Sequence, residues 1–195
     1  MSFLRSLYDW TVSKADHPHA AGWLGTISFL ESAVFPIPPD ALLIPMTIAN
    51  RRKAWIYALV CSVCSVLGGI AGYLIGLLFF DLVGQAILSF YGLVEDFYYF
   101  AEQYNTYGAW IVFIAGVTPI PYKLATIASG ATHLDLGVFI AASVASRTIR
   151  YFAVAGLLYW TGPAIRQFVE TRMELAFTLF VAVLVGGAVA LHYVV

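Results

Sequence analysis

From Ala54 to Phe80 the chain runs without a charged residue. As a helix rising ~1.5 Å per residue, that run would be about 40 Å long, more than the ~30 Å hydrocarbon core of a bilayer. A second charge-free run covers 175–195. Composition agrees, since 61% of the 195 residues are hydrophobic and 11% charged, against about 25% charged in a soluble domain. A soluble enzyme and a disordered tail are both excluded. The chain reads as one multi-spanning membrane domain. The first ten residues lack a basic region followed by a clean apolar stretch, so no cleavable signal is expected. Cys61 and Cys64 offer no disulfide framework.

Transmembrane helices are expected at 54–80, 136–159 and 174–195, the second carrying Arg147 and Arg150 near its middle. Two further hydrophobic stretches, 20–50 and 107–134, are interrupted by Phe35-Pro36-Ile37-Pro38-Pro39-Asp40 and by Thr118-Pro119-Ile120-Pro121-Tyr122-Lys123. Proline fixes φ and removes an amide donor, so no continuous helix passes either point. The limb 40–50 would be only ~16 Å long, half a membrane. Both stretches therefore read as re-entrant hairpins, with tips at Pro36, Pro38 and Pro39 and at Pro119 and Pro121.

Charge favours this reading. With both stretches as hairpins, Arg5, Lys14, Arg51, Arg52, Lys53, Arg166 and Arg172 collect on one face. Asp81, Glu95, Asp96, Glu102 and Asp135 collect on the other, with no basic residue. Were 20–50 to span, Arg5 and Lys14 would join the acidic side. The positive-inside rule thus places the N-terminus in the cytoplasm and the C-terminus outside. Residues 1–16, with Phe3, Leu7, Trp10 and Lys14 at helical spacing, suit an amphipathic helix on the cytoplasmic face. The aromatic and acidic stretch 82–105 suits a helix at the outer interface. The expected fold is an all-α integral membrane protein built as an inverted repeat. Each half is a re-entrant helical hairpin followed by a transmembrane helix, with an extra C-terminal span and interfacial helices. Inverted repeats of broken helices are a transporter signature.

Ionisable groups at membrane depth are costly and face a partner or a cavity. Glu31, Asp40, Lys123, Arg147 and Arg150 are placed there. Arg147 and Arg150 share a helix face, with Ser143 and Ser146 on or beside it. Three cations against two carboxylates leave a surplus positive charge, which a phosphate would match. Lys123, Arg147 and Arg150 are the expected phosphate-binding set. Asp40, at the start of its limb, is expected to cap it. Glu31 and Asp40 are candidates for proton coupling or gating, because burial and a nearby cation pull a carboxyl's proton affinity in opposite directions. Permanent ion pairing that only locks the fold is the plainer alternative. Gly68, Gly69, Gly72 and Gly76 signal close helix packing, within the chain or between subunits of a homo-oligomer. The lone Cys61-Ser62-Val63-Cys64 does not read as a metal site, and His17, His19, His133 and His192 do not cluster. Neither a nucleophile–base arrangement, a nucleotide loop nor a nucleic-acid patch is visible, so no enzymatic role and no cofactor are expected.

The chain resembles the DedA family, also described as the VTT or SNARE-associated membrane-protein superfamily, most closely its small YqaA-like branch. The likeness rests on Phe29-Leu30-Glu31-Ser32 with Phe35-Pro36-Ile37-Pro38-Pro39-Asp40, on Gly68 to Gly76, and on Gly116 to Lys123 through Ala128-Ser129-Gly130. It covers roughly residues 20 to 165. The resemblance implies two opposed re-entrant hairpins and movement of lipids, undecaprenyl phosphate or phospholipids, across the bacterial cytoplasmic (inner) membrane, often linked to the proton-motive force. Its acidic pair maps onto Glu31 and Asp40. The family's arginines around the second proline motif are matched here only by Lys123. The expected function is a flippase or scramblase for a lipid phosphate headgroup. Alternatives are a proton-coupled carrier of a small solute or ion, and a non-transporting membrane scaffold.

Overall fold

The computed structural model describes residues 20–34, 38–118 and 121–161. The stretches expected at 1–16 and 174–195, and the tip residues Pro36 and Pro119, lie outside the described residues. Every element within them is helical, and no strand occurs there. In chain order they are α1 (Ala20–Ala33), α2 (Asp40–Ala49), a 3-10 turn (Arg51–Lys53), α3 (Ala54–Phe79), a π turn (Phe80–Gly84), α4 (Gln85–Tyr91), α5 (Val94–Val117) and α6 (Tyr122–Ala131). The last is α7, Leu136–Thr161.

Proline sets the two interruptions. α1 ends at Ala33, just before the proline run, and α2 starts directly after Pro39. α5 ends at Val117, followed by Thr118 in an extended conformation (ψ 169°). The residue before a proline is driven out of the helical region, and Thr118 precedes Pro119.

The stretch expected as one interfacial helix, 82–105, is divided instead. Its first part continues α3 through the π turn, giving one apolar helical run Arg51–Tyr91 of 41 residues. At ~1.5 Å per residue this is about 60 Å, well beyond the bilayer core. The run stops at Gly92, whose φ of 68° only glycine adopts cheaply. The amides of Gly92 and Leu93 close the helix end on the carbonyls of Ser89 and Leu88, at 3.3 and 2.9 Å. α5 then runs unbroken across the boundary expected between 105 and 107, because 94–117 contains neither a proline nor a left-handed residue.

Arg51–Tyr91 and Leu136–Thr161 are the two helices long and apolar enough to cross a membrane among the described residues. They run antiparallel. Trp55 near the start of α3 stacks on Phe152 at 5.8 Å, whereas Tyr73 near its end meets Phe139 at 5.2 Å. The burial of α3 is inverted relative to a soluble helix. Ile56, Leu59, Val63, Leu67, Leu74 and Leu78 are exposed, and the small or polar Ala58, Ser62, Ser65, Gly68, Gly72 and Gly76 are buried. An apolar stripe of that length is stable against lipid and not against water.

α1 and α6 both lie along this inner face. A Cβ on Gly68 would collide with the carbonyl of Phe29 in α1, one on Gly76 with the carbonyl of Ile127 in α6, and one on Gly130 with the carbonyl of Tyr73. The glycine face therefore serves contacts within the chain. α1 follows the first half of α3, with Ser28 donating to the Cys61 carbonyl at 2.8 Å and Ser32 meeting Ser65 at 2.7 Å. α6 follows the second half, from Tyr122 beside Gly69 to Gly130 against Tyr73.

These contacts predict a position-specific stability pattern. Gly130→Ala and Gly68→Ala should each cost on the order of 1–3 kcal/mol through overpacking against backbone. Gly22→Ala, with nothing within 4 Å of the added atom, should be neutral or slightly stabilising. Equilibrium unfolding of the three variants in detergent micelles checks the ranking.

Candidate functional site

The interruptions bring four helix ends to the middle of α7. α1 ends there with Glu31 and Val34, α2 begins with Asp40, α5 ends with Thr118, and α6 begins with Tyr122 and Lys123. All five ionisable residues expected at membrane depth meet in this junction. Arg150 Nη2 lies 2.7 Å from Asp40 Oδ2, and Arg147 Nη2 lies 3.7 Å from Glu31 Oε2. Arg150 Nη1 also donates to the Thr118 carbonyl at 3.3 Å, and Lys123 Nζ to the Val34 carbonyl at 3.4 Å. The last two carbonyls belong to helix C-termini, where the macrodipole favours a cation.

Asp40 does not cap its own helix as expected. Pro39 occupies the cap position, no side-chain cap bond forms, and the first amides bond back to Pro38 and Pro39 carbonyls. The carboxylate, one position past the cap, turns instead to Arg150 in a charge-assisted pair. It still lies in the first turn of α2, where a negative charge is favoured.

Arg147 has no exposed surface and is the largest fully buried side chain among the described residues. Its guanidinium carbon stands 3.8 Å from the centroid of the Tyr122 ring and 5.9 Å from that of Tyr151. Nη1 donates to the Tyr151 hydroxyl at 3.5 Å. Nε and Nη2 have no hydrogen-bond partner among the described residues, and neither has Asp40 Oδ1. Tyr122 in turn donates to Ser143 Oγ at 2.5 Å, which fixes its ring beneath the guanidinium. Glu31 accepts from Ser32 at 3.1 Å.

Geometry thus resolves the charge surplus. The two arginines of α7 are neutralised by the two carboxylates around the first interruption, and Lys123 is the cation left over. Chemically, the junction holds three cationic groups, two of them in exchangeable ion pairs, with unfilled guanidinium donors in a low-dielectric setting. Such donors match the several acceptor oxygens of a phosphate. Ser146 lies away from the arginine heads, donating to the Ser143 carbonyl at 3.2 Å and packing where a Cβ on Gly116 would collide with it. Sequence reasoning missed the aromatic cradle of Tyr122 and Tyr151. Tyr151 stands four residues after Arg147, a spacing that puts it on the same helix face, so it was findable. Tyr122 offered no comparable signal.

The VTT domain matches residues 37–160 of the chain. An uncharacterized protein of Haemophilus influenzae is 35% identical over 162 residues, covering 83% of this chain and 84% of that protein. An uncharacterized Histophilus somni protein shows the same identity and coverage. No solved structure matches the chain. The chain belongs to the VTT-domain, or DedA, family of membrane proteins.

The pairing predicts a thermodynamic cycle. Asp40→Asn or Arg150→Gln alone strands a charge in a largely buried setting and should destabilise the protein by on the order of 3 kcal/mol. The double variant should cost clearly less than the sum, with a coupling above ~1 kcal/mol. Urea unfolding of all four forms in the same micelles measures it.

Proposed function

We propose that this protein moves a lipid phosphate headgroup across the bacterial inner membrane, as a flippase or scramblase. The observation that carries this reading is Arg147, a fully buried guanidinium with two unfilled donor nitrogens at a junction whose surplus charge is positive. A buried unfilled donor costs roughly 1–3 kcal/mol, and more when charged. A passing phosphate would recover that cost while its acyl or prenyl chain remains in lipid. Glu31 and Asp40 hold the arginines between passages, so the headgroup competes with carboxylates, and proton uptake by either would favour release of the arginines.

The re-entrant, inverted arrangement is part of the proposal. It is supported by the placement of α1 beside the first half of α3 and α6 beside the second, with both interruptions at the α7 arginines. It is supported also by Arg51, Arg52 and Lys53 lying at one end of the α3–α7 pair and Asp81 and Asp135 at the other. On this reading the basic end is cytoplasmic.

The two ion pairs equally favour a second reading, in which the charges only lock the broken segments to α7. Transport in vesicles containing purified protein separates the two. A labelled polyprenyl phosphate and common phospholipids would be followed with and without a pH gradient. Wild type should move at least one phosphate lipid, and the Asp40→Asn/Arg150→Gln double variant should stay folded yet lose at least tenfold in rate. Lys123→Gln should also be slowed. Full activity in the folded double variant leaves the charges a locking role, and a folded wild type that moves no lipid overturns the proposal.

A further inference from the structure

α6 carries the charged junction at its first turn and borders a separate recess at its last. The recess has a volume of about 570 Å³ and lies between the π turn, α5 and the residues that follow α6. Phe80, Phe97, Tyr98, Glu102, Thr132 and His133 are among its walls. None of them takes part in the junction.

Two local departures from regular structure build this recess. The π turn Phe80–Gly84 inserts an extra residue into an otherwise continuous helix, a costly feature found disproportionately at functional places. It sets Phe80 against Phe97 with ring centroids 4.5 Å apart, and against the edge of His133 at 5.9 Å. His133 holds a left-handed backbone, φ 56°, unusual for a residue with a side chain. Its ring nitrogen lies 3.2 Å from Asp81, the second residue of the π turn. The two irregularities thus meet beside the recess, with Phe80 and His133 among its walls.

Its walls include one carboxylate, Glu102, and no Lys or Arg. Glu102 has no ion-pair partner among the described residues. The described residues also hold no group of three His, Cys, Asp or Glu side chains able to take a metal ion. An open recess of this size, with aromatic rings on its walls and an exposed carboxylate free of any cation, fits an organic cation, which rings attract through their negative faces.

We propose that this recess binds an organic ammonium group, with the Glu102 carboxylate as counter-ion and Phe97 and Tyr98 as its aromatic walls. The ammonium can come from an amine-bearing lipid headgroup or from a free amine. The site goes beyond the phosphate reading and does not rest on it.

Isothermal titration of the full chain, in nanodiscs of phosphatidylglycerol alone, tests this. The probes are short-chain phosphatidylethanolamine and free ethanolamine. Saturable binding is expected, weakened roughly tenfold by Glu102→Gln, since a charge-assisted bond is lost, and several-fold by Tyr98→Leu. Binding of the lipid alone assigns the site to a headgroup, and equal binding of ethanolamine assigns it to a free amine. Glu95→Gln, which removes a carboxylate of α5 that is not among the recess walls, should bind as wild type does. The proposal is overturned if neither probe binds the folded protein, if both recess variants bind like wild type, or if Glu95→Gln weakens binding as much as Glu102→Gln does.

Discussion

A guanidinium with no exposed surface, halfway along an apolar helix, dictates much of the rest of this structure. Left against hydrocarbon, Arg147 would cost several kcal/mol or more. Its position is tolerable only where a carboxylate, aromatic faces and a hydroxyl converge on it. Those come from three separate elements: Glu31 on α1, Tyr122 on α6 and Tyr151 on α7 itself. Each must reach the same depth. A helix that crossed the membrane without interruption could bring one residue there, but could not also end there. The proline runs, which look like damage to two potential spans, are what let α1 end and α6 begin at the arginine.

Ending helices at one buried junction creates a second difficulty, since their terminal carbonyls and amides need partners from within the protein. The structure answers with cations from elsewhere in the chain. Lys123, at the second interruption, donates to the last carbonyl of the first, while Arg150 of α7 donates to Thr118 at the end of α5. Asp40 supplies negative charge to the opening turn of α2. The same residues therefore neutralise each other and repair the broken backbone, which joins fold stability to the charge state of the junction.

Much of this was legible in the sequence. Charge-free length identifies the span in α3, and proline spacing locates both interruptions to within a residue or two, because neither signal depends on tertiary contacts. The five membrane-depth charges could be singled out because hydrocarbon makes each of them expensive. Their pairing could not be: Glu31 meets Arg147 and Asp40 meets Arg150 only once α1, α2 and α7 are packed. Gly92 was an available stop signal, yet the density of aromatic and acidic residues across 82–105 suggested one surface helix and hid it. The π turn is likewise invisible in sequence, since Phe80 to Gly84 is ordinary helix-forming composition with a single glycine.

The contacts that hold the junction differ in kind, and the difference bears on motion. α1, α3 and α6 meet through glycines, backbone against side-chain-free backbone, at Gly68, Gly76 and Gly130. Such contacts have one register and no alternative partner, so these three helices form a fixed block. α7 and α2 are tied to the site differently. Beyond their apolar packing, they are held by ion pairs, and an ion pair can trade one oxyanion for another at small net cost because both states satisfy the same guanidinium. A change in those pairs would therefore act on α2 and α7 while the glycine contacts of α1, α3 and α6 stay in place.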